Sequence, residues 1–377
     1  PYPKLSSSHY LPPLSSQAFA AMDCLAFVKN LFTDERGCWS AAMLPKRAPE
    51  WYKKLVSGID PGKIHQQTAP FGSFFLLGHV QLSVPDESMK IFYYNGCGMS
   101  AKCIRGQFVA EIGPSQIRLP VKAGEPQRWP GELRLWVEDI RQTQDQFNSV
   151  NHVLNQFLDD EKVKAMAGGE FANRYHDPFR RNVILVSEAP QDLAEKLLEV
   201  KQTVQQIDIL KGRALAHAPP QGHRNALCLI EAQVALPTRE HVAAAALFYE
   251  RVLGAKVTRK MTVYERQAIV DTATLHFGPS PALHQTMVLE YDPVNAARNT
   301  NLGSVCFYIV ENSSFHLAFV KCKLAGLVGE QTWEQAEGDA EFVISGIVDV
   351  VRESHILPLE HVIRSAVHRE CPLPCHE

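Results

Sequence analysis

The chain has 377 residues, 45% apolar and 21% charged, the balance of a folded globular protein long enough for two domains. Its 38 Lys and Arg against 41 Asp and Glu leave a formal net charge of −3, so no basic field holds a nucleic-acid backbone. No apolar run approaches the roughly 20 residues of a transmembrane helix, and nine cysteines scattered through apolar segments suit a reducing compartment.

Residues 1–74 form an amino-terminal arm, rich in Pro and Ser at its start and without strand-like alternation. Ser15 and Ser16 are placed to cap a helix along Ala18, Ala21, Leu25, Val28 and Phe32. An arm of this length is expected to dock on other protein subunits or wrap the body of the chain. The sequence opens at Pro1 without Met. The missing Met fits either simple Met removal or cleavage of a longer targeting peptide; a soluble protein is expected, in a plastid or mitochondrion, with the cytoplasm as the alternative.

From Phe75 the pattern changes. Leu77–Pro85 alternates as a half-buried strand, a short helix passes through Phe92 and Tyr93, and strands follow at 108–112 and 116–121. A second strand–helix–strand unit runs from Glu132–Val137 through a helix near Val150–Leu158 to Asn182–Ser187. Residues 192–211 read as one connector helix, with Leu193, Leu197, Val200, Val204 and Ile207 at helical spacing and Gly212 beyond its end.

After a Pro- and Gly-containing break the first pattern returns. Ile230–Pro237 repeats the strand that ends at Pro85, and Phe248-Tyr249-(x)3-Leu253-Gly254 repeats Phe92-Tyr93-(x)3-Cys97-Gly98. Gly278-Pro279-Ser280 repeats Gly113-Pro114-Ser115, and Gly303 opens a strand where Gly131 opens another. The expected fold class is therefore α+β, with four βαβββ units. The expected divisions are an arm over 1–74, a first domain over 75–190, a connector over 191–224, and a second domain with a tail over 225–377.

With these motifs the chain resembles the vicinal-oxygen-chelate superfamily of glyoxalase I, bleomycin-resistance proteins and extradiol dioxygenases. The resemblance covers roughly residues 75–370 and implies two tandem glyoxalase-like domains. The segments GPSQIRLP, AGLV…W and LEHVIRS look like a tandem glyoxalase-like family of photosynthetic and other eukaryotes. The superfamily implies that two units curl into a cleft whose facing strands hold one divalent metal, a Lewis acid for two neighbouring substrate oxygens.

At the ligand-like places the first half carries His79, Gln116 and Glu132, but also Arg118, which cannot ligate a metal. The second half carries Glu231, Glu290 and Glu360, with Ser304 as a poor ligand; His361 is adjacent to Glu360 and must face the other side of its strand. Charge pairing offers a plainer account, in which Glu132 meets Arg118, Glu360 meets Arg364, and His79 with Gln81 is polar lining. Cys371, Cys375 and His376 make a weak terminal zinc candidate. Phosphate-loop, nucleophile-elbow and H-E-x-x-H motifs are absent from the sequence.

The sequence reading favours a non-catalytic binding or scaffold subunit of a larger, organellar assembly, with degraded metal sites and no cofactor. The alternative is a lyase, isomerase or dioxygenase using one Mn, Fe, Zn or Ni ion at Glu231, Glu290 and Glu360, or at His79 and Glu132. Either reading leaves a cleft open to a small-molecule ligand.

Overall fold

The computed structural model describes residues 73–372, except 87, 105–106, 155–160, 164–171, 211–224, 265–266, 279–284 and 311. The arm up to residue 72, its predicted helix, the connector break after residue 210, and Cys375 and His376 lie outside the described residues.

The first unit contains β1 (Phe74–Gln81), helix α1 (Ser88–Ile91) continued by a π turn over Phe92–Gly96, β2 (Ser100–Ile104), β3 (Gln107–Ile112) and β4 (Ser115–Leu119). The second contains β5 (Glu132–Val137), α2 (Ile140–Leu154), β6 (Glu161–Val163), β7 (Ala172–His176) and β8 (Val183–Glu188). Helix α3 (Gln191–Leu210) follows as the connector. The third unit is β9 (Ala226–Leu236), α4 (Arg239–Arg251), β10 (Lys256–Tyr264), β11 (Gln267–Phe277) and β12 (Gln285–Tyr291), followed by the one-turn α5 (Pro293–Ala296).

The fourth unit departs from the pattern. It runs β13 (Ser304–Ile309), α6 (Asn312–Leu324), α7 (Trp333–Asp339) and β14 (Glu341–Ile344), then a hairpin of β15 (Ile347–Asp349) and β16 (Ser354–Leu357), and closes on β17 (Glu360–Ser365). The hairpin forms its own two-stranded sheet.

Local chemistry explains most of these elements. Thr238 caps α4 by accepting from the His241 amide, and Val242, Ala245, Ala246 and Tyr249 bury one stripe of the helix. Both FY-x3-[CL]-G endings leave their helices through a left-handed glycine, Gly98 at φ +65° and Gly254 at φ +75°. Helix α2 begins well before the expected 150–158. Asp139 caps it by accepting from the amides of Arg141 and Gln142, and its sparse stripe of Ile140, Phe147 and Val150 is diluted by polar residues.

The units pair otherwise than in sequence order. A seven-stranded sheet runs β14-β17-β13-β1-β4-β3-β2, joining the first unit to the fourth. An eight-stranded sheet runs β10-β11-β12-β9-β5-β8-β7-β6, joining the second to the third. Each sheet is centred on two opening strands that pair antiparallel, β1 with β13 and β5 with β9. Expected domains of residues 75–190 and 225–377 presuppose pairing of neighbouring units, whereas each sheet draws on both halves of the chain. The linker after β4 explains the crossing. Trp129 is fully buried, its amide donates to Asn182 Oδ1 at 2.6 Å, and its Nε1 donates to the Gln233 carbonyl at 2.7 Å. That anchors the linker to the other sheet.

One continuous apolar core binds the two sheets. Phe74 stacks on Phe277 and on Phe307, which tilt against each other, all with ring centres 5.0 to 5.3 Å apart, bringing β1, β11 and β13 together. Gln285 at the head of β12 is fully buried but satisfied. Its Oε1 accepts from the Leu77 amide at 3.1 Å, and its Nε2 donates to Ser115 Oγ and the Leu229 carbonyl, both at 2.7 Å. No described helix is long and apolar enough to cross a membrane.

Candidate functional site

The eight-stranded sheet gathers one polar cluster. Strand β5 alternates regularly, so Glu132, Arg134 and Trp136 share its half-buried face. The neighbouring β9 contributes Glu231, which lies opposite Arg134, and Gln233 two residues along; β12 contributes Glu290. Three of the five predicted metal ligands thus meet in one cleft, although they come from different predicted domains.

Their partners are cations and amides of the same cleft. Arg134 Nη1 lies 2.8 Å from Glu231 Oε1, and Arg174 Nη2, from β7, lies 2.7 Å from Glu132 Oε1. Gln233 donates to Glu290, and Thr286 Oγ1 donates to the other oxygen of Glu231 at 3.3 Å. Burial pushes the Glu132 and Glu231 carboxyls up, and the nearby guanidiniums pull against it. Burial also lowers the Arg134 guanidinium, whose Nε has no partner. Helix α3 covers one end of the cleft, packing Leu197 on Leu227 and Cys228 beside Trp136.

The seven-stranded sheet gathers the remaining candidates on β1, β4, β13 and β17. His79 lies beside Gln116 on one side and Cys306 on the other, and is 3% exposed. Burial lowers its pKa well below the usual histidine value, and the charges of Arg118, Arg364 and His368 add to the effect, so the ring is neutral at pH 7. Strands β4 and β17 stand three places apart, roughly 14 Å if the sheet were flat. Their arginines nevertheless converge on one carboxylate, as the concave face of a curled sheet allows.

That carboxylate is Glu370, from the segment after β17. Arg118 Nη2 donates to its Oε2 at 2.8 Å and Arg364 Nη1 to the same oxygen at 2.9 Å. Arg118 is further fixed by Gln116 Oε1, which accepts from its Nε and Nη2 at 3.2 Å. Arg364 Nε lies 2.5 Å from Glu341 Oε2 on β14. Tyr308 OH donates to the Glu370 backbone carbonyl at 3.0 Å, and Cys371 packs on Leu76, Cys306 and Tyr308.

The predicted pairs are corrected accordingly. Glu132 bonds Arg174, not Arg118, because the two lie in different sheets. Glu360 and Arg364 share a face of β17 but are four residues apart, about 13 Å along a strand; Glu360 is exposed at the mouth, while Arg364 turns to Glu341 and Glu370. Glu360 therefore stands apart from Glu231 and Glu290, and His79 apart from Glu132, each set divided between the two sheets. His361 faces away from the cleft, as alternation requires, and its Nε2 shares a 2.6 Å hydrogen bond with Tyr249 OH.

Three βαβββ units and a divergent fourth are joined through antiparallel opening strands into two sheets. Sheets paired in this way are what the resemblance to the vicinal-oxygen-chelate superfamily implies. Among solved structures, glyoxalase I from Zea mays is similar at a TM-score of 0.45 and 14% identity, over 80% of this chain and 95% of that one. A variant of homoprotocatechuate 2,3-dioxygenase from B. fuscum is similar at a TM-score of 0.29 and 14% identity, over 78% of this chain and 72% of that one. No family model matches the chain, and no curated protein does.

A vicinal-oxygen-chelate metal centre needs several neutral or anionic donors with open positions. The seven-stranded sheet does not fit one, because two guanidiniums occupy its cleft beside His79 and Gln116. In the eight-stranded sheet the donor types suit a hard cation, but Glu132 and Glu231 are each committed to an arginine. Among the described residues no three His, Cys, Asp or Glu side chains are grouped to hold an ion. The sequence reading missed Arg134 and Gln233, although alternation around Glu132 and Glu231 places them on the same faces. Glu370 was not, since it lies beyond the last strand.

Proposed function

We propose that the chain is a non-catalytic, glyoxalase-like binding or scaffold subunit, whose clefts hold anions through arginine where relatives of this fold chelate a metal. The observation that carries this reading is the pair of buried guanidiniums, Arg118 and Arg364, closing on one carboxylate at the centre of the first cleft. A guanidinium beside the donor atoms repels a divalent ion and has no lone pair to offer it. The arm of residues 1–74 is assigned, on its length and composition, to docking on other subunits.

The second reading is a metal-dependent lyase, isomerase or dioxygenase centred on the eight-stranded sheet. Its support is the gathering of Glu132, Glu231 and Glu290 in one cleft. Metal analysis of the purified full-length chain, after incubation with Mn, Fe, Zn or Ni and desalting, separates the two. The expected result is metal far below one ion per chain. A stoichiometric ion that disappears with Glu290→Ala would establish the second reading instead.

A further inference from the structure

The segment after β17 occupies the first cleft in a way that resembles a ligand more than a packing element. Its backbone bonds to the end of β13 through Ala366 N to Ile309 O, then turns locally at His368 N to Ser365 O and Cys371 N to His368 O. Its Glu370 side chain then enters between strands from two different units. Both clamping arginines are at least nine-tenths buried, as is Glu370 itself. Neither guanidinium has its charge in water, so each needs an anion between them.

The surroundings suit a small carboxylate. Neutral His79 and Gln116 form the wall beside the clamp, and the Tyr308 hydroxyl points at the carbonyl of the same residue. Gly78 on β1 lets the Tyr308 ring lie across the strand where a Cβ would collide with it. A hollow of about 370 Å³, lined by residues 338–341 with Val367, His368 and Arg369, includes Glu341, the partner of Arg364, and the two residues that precede Glu370. Space for a molecule larger than one carboxylate therefore adjoins the charged end.

We infer that the Arg118–Arg364 clamp is a binding site for small organic carboxylates, with Glu370 as its resident intramolecular occupant. A free carboxylate that enters from the hollow takes the two guanidinium donors, and the segment carrying Glu370 and Cys371 leaves the cleft. The exchange moves no covalent bond and transfers no proton. It rests on the anion-binding reading of this cleft but not on the state of the other sheet. A metal found at Glu290 would sink the proposed function and leave the clamp intact; a clamp that ignores carboxylates would fail here while the chain stayed metal-free.

The test is rescue of a vacated clamp in the full-length chain. Glu370→Gln removes the anion and leaves both arginines buried. Acetate, formate and succinate, against chloride at matched ionic strength, should raise the Tm of that variant by about 2–3 °C once roughly tenfold above Kd. The double variants R118Q/E370Q and R364Q/E370Q should show no such difference between the anions. Equal shifts in all three proteins, or none in E370Q, would overturn the proposal.

Should E370Q fail to fold, the wild-type chain carries a second readout. Cys371 is buried against Cys306 in the closed cleft. Succinate should therefore accelerate alkylation of Cys371, resolved from the other cysteines by peptide mass spectrometry, in a saturable manner that chloride does not reproduce. A Cys371 rate indifferent to succinate overturns the proposal equally.

Discussion

Glu370 is the residue whose ionisation the fold depends on most directly. Burial pushes its carboxyl up, but the guanidiniums of Arg364 and Arg118 outweigh that and hold it down to about 2. A carboxyl with a depressed folded pKa contributes stability that is fully present above its unfolded value, near 4.5, and is lost as pH falls through the folded value. Urea denaturation should therefore show wild-type stability falling by about 3 kcal/mol between pH 5 and 2 on account of this group. E370Q should begin lower by a similar amount, because two buried guanidiniums lose their counter-ion, and should lack that part of the pH dependence. His361 acts at higher pH. Burial lowers it to about 3, so the unfolded chain takes up its proton first, and stability is lost from near pH 6.5 downward. The windows overlap between about pH 4.5 and 3, so loss above that range belongs to the buried histidines, His361 and His79, and loss below it to Glu370.

Among the elements, the helix endings carry the most specific information. Gly254 closes α4 at φ +75°, and a Cβ there would come within 2.6 Å of Ser73 Oγ. That hydroxyl donates to the carbonyls of Leu253 and Gly254, both at 2.8 Å, so it has little freedom to move. Gly254→Ala should lower the unfolding free energy by about 1–3 kcal/mol, measured by urea or thermal melts, through left-handed strain and the disturbed Ser73 contact together. The same contact binds the start of β1 to the end of the third unit's helix. Helix α3 plays a comparable part. Its Lys201 Nζ donates to the Ala226 carbonyl at 2.8 Å while Leu197 covers the end of the second cleft. The connector is thus part of the cleft wall rather than a spacer.

For the whole molecule the decisive fact is that each sheet is assembled from both halves of the chain. Residues 73–210 contain β1 and β5, but the partners of these strands, β13 and β9, lie in residues 225–372. A half expressed alone would expose the central edge of two sheets, and the Phe74–Phe277–Phe307 core would be cut. The two fragments should therefore lack cooperative thermal transitions when separate and recover a single transition on mixing, as followed by circular dichroism and analytical ultracentrifugation. Independent cooperative unfolding of either fragment would contradict the interleaved pairing.

The opening strands and helix endings were legible because their signals are local. Alternation placed Glu132–Val137 at its observed bounds, and the repeated FY-x3-[CL]-G endings marked two helices by a glycine that only a left-handed turn requires. The start of the connector helix was read within a residue, since one apolar stripe suffices, and its expected end lies at the edge of the described residues. What the tertiary structure alone decided is which strands meet and which charges pair. Backbone pairing at a strand edge is indifferent to sequence identity, so adjacency in the chain was a poor guide to β1 meeting β13 and β5 meeting β9. Ion pairs followed that choice. Arg118 has a side chain that disqualifies it as a metal ligand at the level of sequence, but its carboxylate partner lies 252 residues away, beyond the last strand. Long-range electrostatics is set by where the fold brings charges, and no periodicity along the chain records it.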